Sequence, residues 1–218
     1  MQAHRTIGTV VAAGTAMAVL AGCGAAGTGP GTPAGPAAAG AGSAVAVGTA
    51  PRPADDADLV DRSHGLVEPG TVHVDRSLDT DAARHAVDVA QELYTFWDTG
   101  DRSHLDRAVD PSFVDRTLPA GRPQGPDGPV AASAGFRAAV PDLRCELVDL
   151  YVTGDTVTAR LVFRGRFTGE YQGARGRGQA IDFGAIDIQH IGPSGRIVED
   201  WHLEDNLTFL QQAGIVRG

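Results

Sequence analysis

Lysine is absent from the 218-residue chain, so all 18 basic side chains are arginines. Against 27 acidic residues they leave a net charge of −9, and no basic run stands out anywhere. A nucleic-acid partner needs a basic patch to neutralise phosphates, so that class of function is excluded. Cysteine is scarce as well, with two residues, Cys23 and Cys145. No apolar run is long enough for a comfortable membrane span; the longest, Ile7–Leu20, has the size of a signal-peptide core. Close His-x-x-x-His spacing is missing too, which argues against a metal site.

The N-terminus reads as a targeting segment. His4 and Arg5 precede the apolar run, which ends in Leu20-Ala21-Gly22-Cys23. This resembles the lipobox of bacterial lipoproteins, which implies that residues 1–22 are removed and that Cys23 is acylated. Two acyl chains suffice for stable anchoring where one is marginal. The expectation is an exported protein tethered by lipid to the outer face of the cytoplasmic membrane. Cys145 is then the sole free thiol, in strand phase with Leu143 and Leu147, and reads as a small buried hydrophobe.

Residues 23–79 read as a tether. "GAAGTGPGTPAGPAAAGAGSAVAVGTAPRP" lacks the large apolar side chains that a core requires. As a random coil it would span about 30 Å root-mean-square. The acidic stretch that follows offers one short extended piece, "GLVEPGTVHV".

The folded domain is expected over 80–218. Ala83, Val87, Ala90, Tyr94 and Trp97 recur at helical spacing, with Asp79 or Thr80 as cap and Gly100 as stop. A second helix is expected in "SHLDRAVD" and a third in "PVAASAGFRAAV", separated by a loop with a short extended segment at Phe113-Val114. After Pro141 the period changes to strict alternation through "LRCELVDLYVT", "TVTARLVFRGRFTG", "AIDFGAIDIQHI" and "RIVEDWHLED", with turns at Gly154-Asp155 and "GPSG". Helices first and antiparallel strands afterwards define an α+β fold with helices on one face of a curved sheet.

"FWDTGD", "AAVPDLRCELVDLYVTGDTV", "FTGEYQGARGRGQAIDFGAIDI" and "GRIVEDWHLEDNLTFLQQAG", in this order, resemble the SnoaL-like polyketide cyclase (ester cyclase) branch of the nuclear transport factor 2-like superfamily. The resemblance implies a cone-shaped barrel: a curved antiparallel sheet, about three N-terminal helices on its concave face and a short C-terminal helix. It also implies a small-molecule ligand in the cone and cofactor-independent acid/base cyclisation, isomerisation or hydrolysis of a small carbonyl compound. The family's aldol-closing Asp on the last strand corresponds to Asp205, and its second polar residue to His190. Trp201, four residues before Asp205, would wall the carboxylate. Where many relatives carry a His after the second helix, this chain has Arg116, which cannot act as a base but can bind an anionic oxygen.

From residue type alone, Asp205 is equally an N-cap for the helix starting at Leu207. His190 reads equally as a strand-end residue. His202 alternates with Trp201 and is expected on the opposite face. Trp97, Phe113 and Phe136 are expected either to line a pocket with Trp201 or to be plain core. The open sheet face, with its row of arginines, is expected to be either a solvated face or a homodimer surface. The alternative function is non-catalytic binding of a small hydrophobic or anionic ligand, or of a protein partner, at the cell surface.

Overall fold

In a computed structural model, residues 56–217 are described; Cys23 and the expected signal peptide lie outside them. A short 3-10 turn at Asp56–Leu59 and strand β1 (Thr71–Val74) come first. They are followed by α1 (Thr80–Thr99), α2 (Arg102–Ala108), β2 (Val109–Asp115) and α3 (Asp127–Ala139). Next come β3 (Arg144–Thr153), β4 (Thr156–Phe167), a small hairpin of β5 (Glu170–Tyr171) and β6 (Ala174–Arg175), β7 (Gln179–Ile191), β8 (Ile197–Glu204) and α4 (Asn206–Gln212). The α+β architecture expected from sequence is the one observed.

Six strands form one sheet in the order β1-β3-β4-β7-β8-β2. The central pairs are antiparallel, as alternation and tight turns dictate. Both edge strands add in parallel, β1 on β3 and β2 on β8. β2 extends the short segment anticipated at Phe113-Val114, and Pro111 sits at this edge, where a missing N–H breaks no central ladder.

The helices follow their local signals. Asp79 caps α1 by accepting from the N–H groups of Asp81 and Ala82, and Gly100 ends it in the left-handed conformation at φ 78°. The α1 stripe of Ala83, Ala86, Val87, Ala90, Leu93 and Tyr94 is buried. It belongs to one core with Cys145, Leu147, Leu150 and Val152 of β3 and Val157, Ala159, Leu161 and Phe163 of β4.

The ordered body begins earlier than residue 80, which shortens the expected tether. Leu59 and Val60 are buried in the same core. Two polar residues on the buried face of α1 hold this segment. Gln91, wholly buried, accepts from the N–H of Asp61 and donates to the carbonyls of Asp61 and Val67. Thr95 accepts from the N–H of Val67. Such groups are tolerated inside because each is hydrogen-bonded.

Candidate active site

The inner face of β4 is apolar throughout, whereas that of β7 starts apolar and ends polar. Along β7 the inward residues are Ile181, Phe183, Ala185, Asp187 and Gln189, all buried, whereas Ile186 and Ile188 between them are exposed. On β8 the same inversion recurs: Trp201 and Leu203 are exposed, and Asp200, His202 and Glu204 line a cavity. The register of the two strands sets Asp187 opposite His202 and Gln189 opposite Asp200. Polar groups inside and large apolar groups outside are the informative exception to ordinary burial.

The cavity occupies about 600 Å³, its open mouth included. Its apolar side is made by Trp97 at the end of α1, Phe113 on β2, Phe136 on α3, and Leu161, Phe163 and Phe183 from the sheet. Phe163 and Phe183 stack at 5.3 Å between ring centres, and Trp97 meets Phe163 edge-on at 6.2 Å. The polar side carries Asp115, Asp187, Asp200, His202 and Glu204, and Arg122 from the loop between β2 and α3 completes the lining.

His202 is clamped between two carboxylates, Nδ1 2.8 Å from Glu204 and Nε2 3.0 Å from Asp115. The hydrogen bond and charge of Glu204, seconded by Asp115, outweigh burial and lift the imidazole to about 9. It is therefore an imidazolium at neutral pH. Burial alone would raise Glu204, but the hydrogen bond and charge of His202 hold it below its ordinary range. Asp115 is itself fixed: its carboxylate accepts from the Thr117 N–H, and Gln124 clamps its backbone on both sides, at 2.7 and 2.9 Å.

Asp187 and Asp200 form a second, drier group. Burial lifts Asp187 to about 7 against the opposing charge of His202. Burial, and then the charge of Asp187, push Asp200 well up. Tyr94, wholly buried, donates to Asp187 at 3.2 Å and accepts from the Gln189 amide at 2.8 Å. Asp200 Oδ1 and Gln189 Oε1 are buried without a partner among the described residues. A donor on Asp187 and none on that oxygen of Asp200 make Asp187 the better anion of the two. Burial and mutual repulsion push both carboxyl groups towards the neutral form, and their titration belongs to the pair.

Of the residues expected from sequence, Trp97, Phe113 and Phe136 are brought together in this cavity, while Asp205, His190, Arg116 and Trp201 are not among its lining. Asp205 caps α4, accepting from the Thr208 N–H at 3.0 Å and its hydroxyl at 2.7 Å, and these bonds depress its carboxyl. His190 pairs with Asp155 at 2.7 Å at the far end of β7, and Arg116 pairs with Glu199. Trp201 lies on the outer face and His202 on the inner one, so the inward residue of that pair is the histidine. The cause is a break in the β8 register: Ile191 faces Ile197 while His190 faces Glu199, leaving Val198 as an extra residue. A bulge of this kind shifts the side-chain phase by one.

A curved, mostly antiparallel sheet with helices on its inner face and ionisable groups gathered in an aromatic cavity defines a pocket domain of the nuclear transport factor 2-like kind. The chain belongs to the SnoaL-like polyketide cyclase family, whose profile matches residues 87–213. Among solved structures, it is similar to a candidate polyketide cyclase from Bacillus cereus ATCC 10987, with 44% identity over 72% of this chain and 99% of that one, at a TM-score of 0.65. TsrD from Streptomyces laurentii is 29% identical over 64% of this chain and 99% of its own, at a TM-score of 0.55. IdmH from Streptomyces antibioticus, described as a candidate polyketide cyclase, is 28% identical over 59% and 98%, at 0.54. None of the curated proteins matches the chain.

Proposed function

We propose that the domain enolises a small carbonyl compound by acid/base catalysis without an organic cofactor, as a step towards cyclisation or isomerisation. The observation that carries this reading is buried Asp187 with half-buried Asp200, whose Oδ1 is buried, at an aromatic cavity beside a fixed imidazolium. Asp187, ionised, takes the proton α to the carbonyl. The C–H pair becomes the enolate C=C bond, and the carbonyl π pair moves to oxygen. The acid form of Asp200 and the charge of His202 stabilise that oxygen, and the proton returns to carbon from Asp187. A base titrating near neutral pH is the efficient choice for such a transfer. Both nitrogens of His202 are already engaged, so it serves as a fixed cation and not as a proton shuttle.

The test is exchange of α-protons into D2O, followed by NMR over a panel of cyclic ketones, aryl ketones and keto acids. Wild type and Asp205→Asn should exchange at the same rate, and Asp187→Asn should lose on the order of 100-fold or more. Tight binding of a panel member with no exchange by wild type would replace this reading by the second one. That second reading is ligand binding without turnover at the cell surface; the prior engagement of both His202 nitrogens favours it.

The lipobox-like segment supports export with acylation at Cys23. Incorporation of labelled palmitate in a bacterial host, abolished in Cys23→Ala, is the expected result; label retained in the variant would rule it out. The outer sheet face supports a homodimer: Tyr151, Ile186, Ile188, Trp201 and Leu203 are all exposed there. Arg160 and Arg164 beside them are mixed with Asp149, Glu146 and Asp182. An identical face can meet this one without like-charge repulsion.

A further inference from the structure

Two cations line the cavity, and they are in different states. His202 has a carboxylate on each nitrogen. Arg122, half-buried, has no side-chain hydrogen bond and no carboxylate within ion-pair distance among the described residues, although its charge reaches Glu204 across the cavity. A guanidinium carries five donors in a planar fork that matches a carboxylate. Here none of the five is hydrogen-bonded within the described residues, whereas Arg102, Arg107 and Arg116 each hold an acidic partner.

The segment that carries Arg122 is built to hold it still. The N–H of Arg122 donates to the carbonyl of Pro119 at 3.1 Å. Pro123 follows directly and restricts the backbone of Arg122 to extended conformations. Gln124 then closes both hydrogen bonds of its clamp on Asp115, and Thr117 accepts from the N–H of His202 at 3.0 Å. The loop is thus tied at both ends to the residues that position His202. Gly128, at the start of α3, lies so close to the loop that a Cβ there would stand 2.7 Å from the carbonyl oxygen of Pro123. The backbone that carries the cation is thus fixed in advance, and only the side-chain torsions of Arg122 remain to be ordered when an anion binds.

We infer that Arg122 is the anion-reading residue of the cavity, and that the ligand is a small planar carbonyl compound bearing a carboxylate, of the aryl keto acid class. The aromatic side, Trp97, Phe136 and Phe163 among it, takes the flat apolar body, and Arg122 takes the carboxylate. The keto group is left to the Asp187, Asp200 and His202 side. The other charged groups of the lining, Asp115, Asp187, Asp200 and Glu204 with His202 among them, leave it acidic overall, so Arg122 is the group through which a carboxylate would be held. The inference rests on the reading of this cavity as the site of enolisation and narrows it to one substrate class.

Phenylpyruvate and phenylacetone form a matched pair of probes, alike in aryl group and enolisable ketone and different in the carboxylate. With the full chain, calorimetry should show phenylpyruvate binding at least about tenfold more tightly than phenylacetone, the factor carried by a charge-assisted hydrogen bond. Arg122→Gln should abolish that preference and leave phenylacetone binding within about twofold of wild type, and Arg122→Lys should restore part of it. Equal binding of the two probes by wild type, no binding of either, or an unchanged preference in Arg122→Gln would each overturn the inference. Proton exchange measured on the same samples separates the two readings. Exchange without carboxylate preference would refute the role of Arg122 and leave the enolisation reading standing. A carboxylate preference without exchange would do the reverse.

Discussion

At the scale of single residues, the chain separates two acidic roles that its sequence makes look alike. Asp205 and Asp187 both stand on or beside the last strands, yet one is solvated and hydrogen-bonded as a cap, and the other is buried against Tyr94. Environment sets the sign of each shift, downward for the capping carboxylate and upward for the buried one. His202 adds a pH signature. Its pKa rises from 6.5 to about 9 on folding, so folding is favoured by proton binding. That contribution is complete below pH 6.5 and is lost as pH rises through about 9, amounting to on the order of 2–3 kcal/mol. Its side chain is only 10% exposed, so solvent screening takes little away. The difference in urea-unfolding free energy between wild type and His202→Gln should therefore shrink between pH 6 and pH 10. A difference that stays flat over this range would mean that the imidazole is not charged in the fold.

At the scale of elements, most of the fold is legible from local signals. The caps of α1, the turns at Gly154 and "GPSG", and the alternation in β3, β4 and β7 need no distant partner to be recognised. The site was harder to read because its signals are violations of pattern. Continuing the inward phase of Ile181, Phe183 and Ala185 by two steps reaches Asp187 and Gln189, so the sequence does contain this half of the site. On β8 the apolar alternation of Trp201 and Leu203 points the wrong way, and the extra residue at Val198 that reverses it depends on pairing with β7. Gln91 and Thr95 likewise look like lapses in a helical stripe until the segment before α1 is seen to hang on them. The chain after β4 shows a different non-local constraint: the N–H groups of Thr168 and Gly169 both donate to Ala139 at the end of α3. A Cβ on Gly169 would lie 1.8 Å from the backbone oxygen of Ala138. Gly169→Ala should cost about 2–4 kcal/mol, since backbone must shift to admit it. Gly135, exposed in the interior of the same helix with nothing within 4 Å of its Cβ position, should behave oppositely. Gly135→Ala is expected to stabilise by about 0.5–1 kcal/mol, and thermal unfolding of the two variants reads both effects.

At the scale of the whole molecule, the inversion of β7 and β8 has consequences on both faces of the sheet. Sending Asp187, Asp200 and His202 inward obliges Ile186, Ile188, Trp201 and Leu203 to face outward, and exposed apolar side chains so grouped mark an interaction surface. Across the strands the belt is continuous: Tyr151 pairs with Thr158, Thr158 with Ile188 and Ile188 with Trp201. His73 stacks on Tyr151 at 4.6 Å and extends it to the edge strand. If this belt meets its copy in a homodimer, the cavity and the association surface are two sides of the same strands and can be separated by alternate residues. Trp201→Glu with Leu203→Glu should then convert dimer to monomer in sedimentation velocity, because two desolvated charges per protomer would face their copies at the centre of the interface. The same double variant should keep phenylpyruvate affinity within about twofold, since its substitutions flank His202 in sequence but point away from the cavity. A wild-type protein that sediments as a monomer across a concentration series would refute the dimer. Loss of ligand affinity together with the dimer would show instead that the partner copy completes the site.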